Sequence, residues 1–517
     1  MKNLVFIGFA LLICFQTYAQ SFVDNALLFS RTTPGGSARI QAIGGAQVSL
    51  GGDYSSAFSN PAGLGMYNRS EFTFTPGYSL SNIQSTYAGI SASDNKTKLN
   101  IPGISYVYHH ETGKQSGFLG GSLGISLTRV NDFNQTYNYS GMNSESSIVD
   151  YFLDDAYNYD PGEMLRGGQD FYNLTALAYN NYLFEDYYDN NNNLFYGSVL
   201  SPLPADPPNG IPAEVRTVRQ AETVESTGAQ NQWSISYGAN FSDKFFIGAG
   251  VGIATLRYKL KLQYSESDFS YSEDPNYNPI DYFQTEENLE IRGSGVNFTL
   301  GMIYRPIDFL QVGASVVTPT FYQVTDTYNA RLSSQWNAFD YYGDQSTILN
   351  FVEEEFDTPL ISEYNFTTPL KFSTGATLIS KIGFISADVE MVNYGKTKYS
   401  SNTGGVSFSG DNDAIKSLYE SVINYRVGAE YRYGIWRLRG GYRFMADPYR
   451  SSEIDRSSQT ITGGLGIRKE KFFIDFAVVH TTADDQRIPY RAPGFPIPVA
   501  KLENKFTSYM FTIGFPF

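Results

Sequence analysis

Cysteine is almost missing from this chain. The 517 residues hold one, Cys14, so beyond the N-terminal segment no disulfide or thiolate metal site can be built. There are only three histidines, too few for a credible imidazole-based ligand set or base. Charged residues make up 17%, and no stretch after residue 20 approaches the roughly 18 apolar residues of a membrane helix. No phosphate-binding loop or basic nucleic-acid patch occurs. Tyrosine (40) and phenylalanine (38), by contrast, are abundant. A polar average with an aromatic excess fits strands that alternate lipid-facing and lumen-facing residues. A secreted soluble β-protein is the competing reading of composition alone.

Residues 1–19 read as a signal peptide. Lys2 is the positive end, Leu4 to Phe15 the apolar core, and Thr17-Tyr18-Ala19 the cleavage site before Gln20. Cys14 lies inside this segment, and the bulky Ile13 before it argues against lipid anchoring. The run from Gly44 to Gly65 is rich in Gly, Ala and Ser and contains the turn Asn60-Pro61-Ala62-Gly63. Small residues ahead of a long β-run suggest a segment, within 20–70, folded inside a barrel.

From residue 71 to 517 the sequence reads as fourteen strands, an even number as a single-chain bacterial barrel requires. Long connections are expected at 81–98, 132–229, 265–286, 323–365, 399–420, 447–456 and 484–504. Short ones alternate with them without exception. Outer-membrane barrels have this asymmetry, with short periplasmic turns and long extracellular loops. In the last strand Tyr509, Phe511, Ile513, Phe515 and Phe517 fall on one face, and Ser508, Met510, Thr512 and Gly514 on the other. The fold class is therefore all-β, a fourteen-stranded antiparallel transmembrane barrel in the Gram-negative outer membrane. Phe517 resembles the C-terminal signal read by the barrel assembly machinery.

The long loop from Asp132 to Gly228 holds 15 Asp/Glu against 3 Arg. Apolar residues recur there at helical spacing: Phe152 and Leu153 in one stretch, Phe171, Leu174 and Leu177 in another. Two short helices would then form an apolar outer groove, or stripes that simply pack on each other. In the later strands Asp388, Glu390, Arg426, Glu430, Arg432, Arg437, Arg439 and Arg443 alternate with apolar residues. Arg or Lys facing lipid costs about 2–4 kcal/mol at the midplane, so these charges belong in the lumen. There they form a salt-bridged wall clamping the N-terminal segment, or offer arginines to a ligand carboxylate. Catalysis is not expected. His109 and His110 point to opposite faces, His480 is in phase with the lipid face, and no Ser-His-acid set can be placed. Asp186-Tyr187-Tyr188-Asp189-Asn190 reads as a solvated acidic turn rather than a calcium loop. No metal and no cofactor are expected.

The GGA…NPAG run, fourteen strands, a helix-bearing loop after the third and a terminal Phe resemble the FadL family, outer-membrane transporters of long-chain fatty acids and other hydrophobic compounds. Val317-Thr318-Pro319, Thr368-Pro369-Leu370, the run from Ala387 to Tyr394 and Leu438-Arg439-Gly440-Gly441-Tyr442-Arg443 also fit. The resemblance implies that residues 20–70 form a hatch, with Asn60 to Gly63 at its gate. It also implies lateral ligand exit at an inward kink of the third strand, for which Gly120-Gly121 is the candidate. Function is then passive uptake of a hydrophobic small molecule, with membrane lipid around the barrel. A FadL-type barrel bound to another envelope protein in a secretion system, or a haem receptor, are the alternatives.

Overall fold

The structure, a computed structural model, describes residues 22–200, 215–271, 278–451 and 453–517. The signal-peptide segment and Cys14 lie outside the described residues.

Fourteen wall strands close into one antiparallel barrel. They are β1 (Glu71–Tyr87), β2 (Ile90–Glu111), β3 (Phe118–Asp132), β4 (Val215–Phe241), β5 (Phe245–Tyr271) and β6 (Ile280–Ile307). β7 runs in two pieces (Leu310–Val317, Phe321–Asp340), as does β8 (Leu360–Thr367, Lys371–Ser380). Then come β9 (Gly383–Asn393), β10 (Ser421–Tyr433), β11 (Trp436–Met445), β12 (Ser458–Arg468), β13 (Phe473–Arg487) and β14 (Ala500–Pro516). β14 pairs with β1 from Glu71↔Pro516 to Thr86↔Lys501, which leaves no open edge.

Pro319 and Pro369 cause the breaks in β7 and β8, because neither has an N–H to give the ladder. Threonines fill the gap. Thr318 Oγ1 accepts from the Phe298 N–H at 2.9 Å, and Thr368 Oγ1 accepts from the Thr320 N–H at 2.9 Å.

Period-two alternation defines an apolar outer belt. On β14, Tyr509, Phe511, Ile513, Phe515 and Phe517 face out, while Met510 and Thr512 are buried. On β5 the outward residues Phe245, Ile247, Val251 and Ile253 give way to Thr255 and Arg257. A belt of about nine residues per tilted strand matches a bilayer core.

Several expected loops are strand. β1 and β2 continue through 81–98 to a turn at Ala88-Gly89, and β4, β5, β6 and β7 likewise run far past the belt. The polar residues on their outer face mark the end of the membrane, not of the strand. Outside the bilayer the sheet is held by charged pairs such as Lys259–Glu290 and Lys261–Glu286, both 3.2 Å. The short turns at the other end fall as expected.

The segment 132–229 is structured too. It begins with Gln135–Asn143, an extension that pairs with β4. Short helices follow, including one at Ile148–Asp155 and one at Leu174–Asn180, then a hairpin, Glu185–Tyr188 with Leu194–Gly197. These pack over the barrel mouth against Tyr264, Phe283, Leu332, Trp336, Phe356 and Tyr490. Phe152, Phe171 and Leu177 are fully buried in this cap, and Leu153 and Leu174 pack at its edge. They are therefore the interior of a cap rather than an open groove, because the tyrosines and phenylalanines of the strand extensions cover their apolar faces.

Candidate functional site

Residues 22–66 run through the barrel interior as four short helical pieces, Phe22–Ser30, Ala38–Gln41, Ser56–Ser59 and Pro61–Met66. The first packs by its large apolar side chains, and in the others small residues let the backbone lie directly on the wall. Asn60 caps the last piece, its Oδ1 accepting from the Ala62 N–H at 3.2 Å. Its Nδ2 donates to the Val48 carbonyl at 2.6 Å and reaches Met302 O at 3.3 Å and Ala314 O at 3.4 Å on the wall. A Cβ added at Gly248 would stand 2.3 Å from the Pro61 carbonyl carbon, so that wall position must be glycine. Pro61, Ala62 and Gly63 are buried.

On the opposite wall the charged residues form two groups. Arg439, wholly buried, donates to Glu430 at 2.7 Å and to Asp475 at 2.6 Å. Arg432 meets Glu430 at 2.9 Å and Arg468 meets Asp475 at 3.1 Å. Arg39 of the N-terminal segment approaches Glu430 at 3.9 Å. In the second group Arg426 pairs with Glu390 at 2.8 Å. Asp388 accepts the backbone N–H groups of Gln47 (2.6 Å) and Val48 (2.9 Å), which ties the segment to the wall. Arg443 is 4% exposed and donates only to Thr460, at 3.2 Å, leaving its Nε and Nη1 without a partner. Arg437 stands apart: it bonds the carbonyls of its own turn, Gly434 and Trp436, at 2.8 and 2.7 Å. Asp475 and Arg468 were missed in the sequence, although Asp475 alternates with Ile474 and Phe476 in the same way as the others.

The wall has a seam, and it is not at Gly120-Gly121. Both glycines are paired on both sides, with Glu111 and His110 of β2 and with Asn240 and Ala239 of β4, although β3 does bulge against β4 between Phe118 and Gly120. Pairing between β2 and β3 instead stops at Gly103↔Thr128. The next residue of β2 is Pro102, which has no N–H to continue the ladder. β3 then bulges between Arg129 and Asn131 and follows β4 alone. Beyond this point only side chains cross the gap. The Asp94 carboxylate accepts from the Asn138 backbone N–H at 2.9 Å, Lys96 donates to Glu225 at 2.7 Å, and Lys98 donates to Asn134 Oδ1 at 2.9 Å. The lower end of the seam lies beside Leu99 and Ile101, which face outward at 79% and 48% exposure. It thus opens at the outer rim of the belt. The signal for it was Pro102, which sits opposite Pro76 in the bulged register of β1 and β2.

The histidines are dispersed. His109 Nδ1 lies 3.0 Å from Ser122 Oγ, and the exposed His480 lies 2.9 Å from Thr507 Oγ1. Among the described residues no group of three or more His, Cys, Asp or Glu is placed to hold a metal ion. Asp189, in the acidic run, accepts from the N–H groups of Asn191 and Asn193 at 2.7 and 2.8 Å, which closes a turn.

No protein-family model and no curated protein matches the sequence. Solved structures do. A Pseudomonas aeruginosa FadL homologue superposes with a TM-score of 0.54 at 12% identity, covering 94% of this chain and 99% of that one. A deletion variant (deltaS2) of the TodX monoaromatic hydrocarbon channel gives 0.51 at 13% identity, with coverages of 94% and 99%. At such identities the likeness is one of architecture, and it spans nearly the whole of each chain. This chain has the FadL-type barrel fold.

Proposed function

We propose that the protein carries hydrophobic small molecules, long-chain fatty acids or hydrocarbon-like compounds, passively across the outer membrane. The observation that carries this reading is the seam between β2 and β3, joined by side chains beside a lumen filled by the N-terminal segment. A backbone ladder is costly to part, since each buried unpaired group costs about 1–3 kcal/mol. Exposed side-chain ion pairs contribute only about 0–1 kcal/mol each. The seam is therefore the place where the wall opens most cheaply, and it lies at the rim of the lipid belt, where an apolar molecule gains by leaving the protein. Ligand binding shifts the N-terminal segment, which acts as a hatch, and release is sideways into the membrane.

Arg443 is the residue we assign to the anionic end of a fatty acid. It is buried, cationic and has two groups without a partner, Nε and Nη1, free to donate to a carboxylate. The test is uptake into proteoliposomes of two probes, a radiolabelled long-chain fatty acid and a monoaromatic hydrocarbon. Cross-linking Lys96→Cys to Glu225→Cys with a bifunctional thiol reagent should stop uptake of both. Arg443→Leu should lower uptake of the acid about tenfold and leave the hydrocarbon unchanged. Undiminished uptake by the cross-linked barrel would remove the lateral route. If neither probe is taken up and a stoichiometric envelope protein copurifies, the partner-binding reading replaces this one.

A further inference from the structure

One exterior surface lies above the apolar belt, beside the upper end of β3 and next to the seam. Where β3, β4, β5, β6 and β7 leave the apolar belt, their outward residues change character within two positions. Leu127 is followed on the outer face by Arg129, Trp233 by Asn231, Ile253 by Thr255 and Arg257, Val296 by Ser294 and Arg292, and Phe321 by Gln323. The polar residues line one concave saddle of about 850 Å³. Four cations border it: Lys98, Arg129, Arg257 and Arg292. Glu363 is the carboxylate in the lining. Arg129 is paired with Asp132 at 3.0 Å and Arg292 with Glu290 at 2.6 Å. Arg257 has no acidic partner among the described residues, so the saddle keeps a positive excess on a chain whose formal charge is −15.

We propose that this saddle binds the phosphate-bearing headgroup of a lipid in the surrounding leaflet. Three features point to that occupant. The saddle begins where the hydrocarbon belt ends, which is the depth of a headgroup phosphate. Its cations are mainly arginines, whose planar donors match phosphate oxygens in pairs. The apolar residues directly below, Trp233, Ile253, Val296 and Phe321, offer the acyl chains of the same molecule a continuous surface. Trp233 also sits at the interface depth that indole favours. A basic cluster at a membrane rim attracts an anionic lipid surface. Glutamine and asparagine side chains at Gln323 and Asn231 supply further donors.

The test uses the full-length barrel in nanodiscs, made once with diphosphorylated lipid A and once with its dephosphorylated counterpart, read by native mass spectrometry of the released complex. The wild type should retain the phosphorylated lipid at least tenfold better. The double variant Arg257→Gln, Arg292→Gln should lose that preference, while Lys381→Gln at the opposite rim keeps it. Heat-modified gel mobility checks that each barrel is folded. Equal retention of the two lipids by the wild type, or a double variant that keeps the preference, would overturn the proposal. If the double variant does not fold, Arg257→Gln alone decides, because its side chain supports no ion pair that folding needs.

Discussion

At the scale of single residues, the interior is held by close approaches and buried charges that tolerate little change. Asn60 joins the N-terminal segment to itself and to two wall strands, so Asn60→Ala removes a helix cap, costing about 1 kcal/mol, and frees buried carbonyls. Uptake should fall while barrel assembly, followed by heat-modified mobility, stays intact. Gly248→Ala places a Cβ against the Pro61 backbone. An overpacked contact of that kind costs about 1–3 kcal/mol, and it should appear as faster proteolysis of the N-terminal segment in an otherwise folded barrel. Arg439 lies between Glu430 and Asp475 with no solvent access. Arg439→Met would remove the partner that both carboxylates share, leaving Arg432 to Glu430 and Arg468 to Asp475, and denaturant titration should show a loss of about 1–3 kcal/mol.

At the scale of elements, the cap over the mouth rests on two buried carboxylates. Glu266 accepts from the Ile148 N–H at 2.9 Å, Gln220 Nε2 at 2.7 Å and the Tyr264 hydroxyl at 2.8 Å, which docks the start of the helix Ile148–Asp155. Glu287 accepts from the Tyr328 hydroxyl at 2.7 Å. Both lie on strand extensions beyond the belt, and burial pushes each up to about 7 despite these donors. A carboxyl raised in the folded state stabilises it fully below the unfolded value near 4.5, and that stabilisation is lost as pH rises through about 7. The cap should therefore loosen progressively between about pH 4.5 and pH 7, by roughly tenfold in opening per pH unit for each group, and change little above that. Amide hydrogen exchange across 148–155 and 174–180 at pH 5 and pH 7, corrected for the intrinsic exchange rate, measures this.

Elements also show what a sequence can and cannot reveal. Strand count, belt face and the placement of Asp388, Glu390, Arg426 and Arg439 away from lipid follow from period-two alternation, because lipid penalises charge so heavily. The strand extensions were hidden because water imposes no such penalty, and a polar strand in water reads like a loop. Phe152, Phe171 and Leu177 looked available because helical spacing reveals an apolar face but not what covers it. Gly120-Gly121 drew attention as a weak spot, yet the ladder stops at Pro102. Where a ladder ends depends on a partner strand that sequence spacing does not identify.

At the scale of the whole molecule, the barrel is much taller than the membrane it crosses. From Ile253 to Tyr271 on β5, at about 3.3 Å per residue, the strand runs about 60 Å beyond the belt. At a barrel tilt of about 40° the tip of β5 stands about 45 Å above the lipid, whereas β9 to β12, 10 to 13 residues long, end near the belt, so the rim is high on one side. The seam begins at the foot of this tower and the cap closes its top. A molecule arriving from outside thus meets protein well before it meets lipid, and the outer-leaflet sugar layer surrounds the shaft rather than covering the opening. Bulky reagents that cannot enter that layer, such as antibodies, should reach the cap on intact cells but not the seam. The acidic cap is the part of this protein that stands furthest from the lipid, and so the part most free to change its surface without disturbing the packing below.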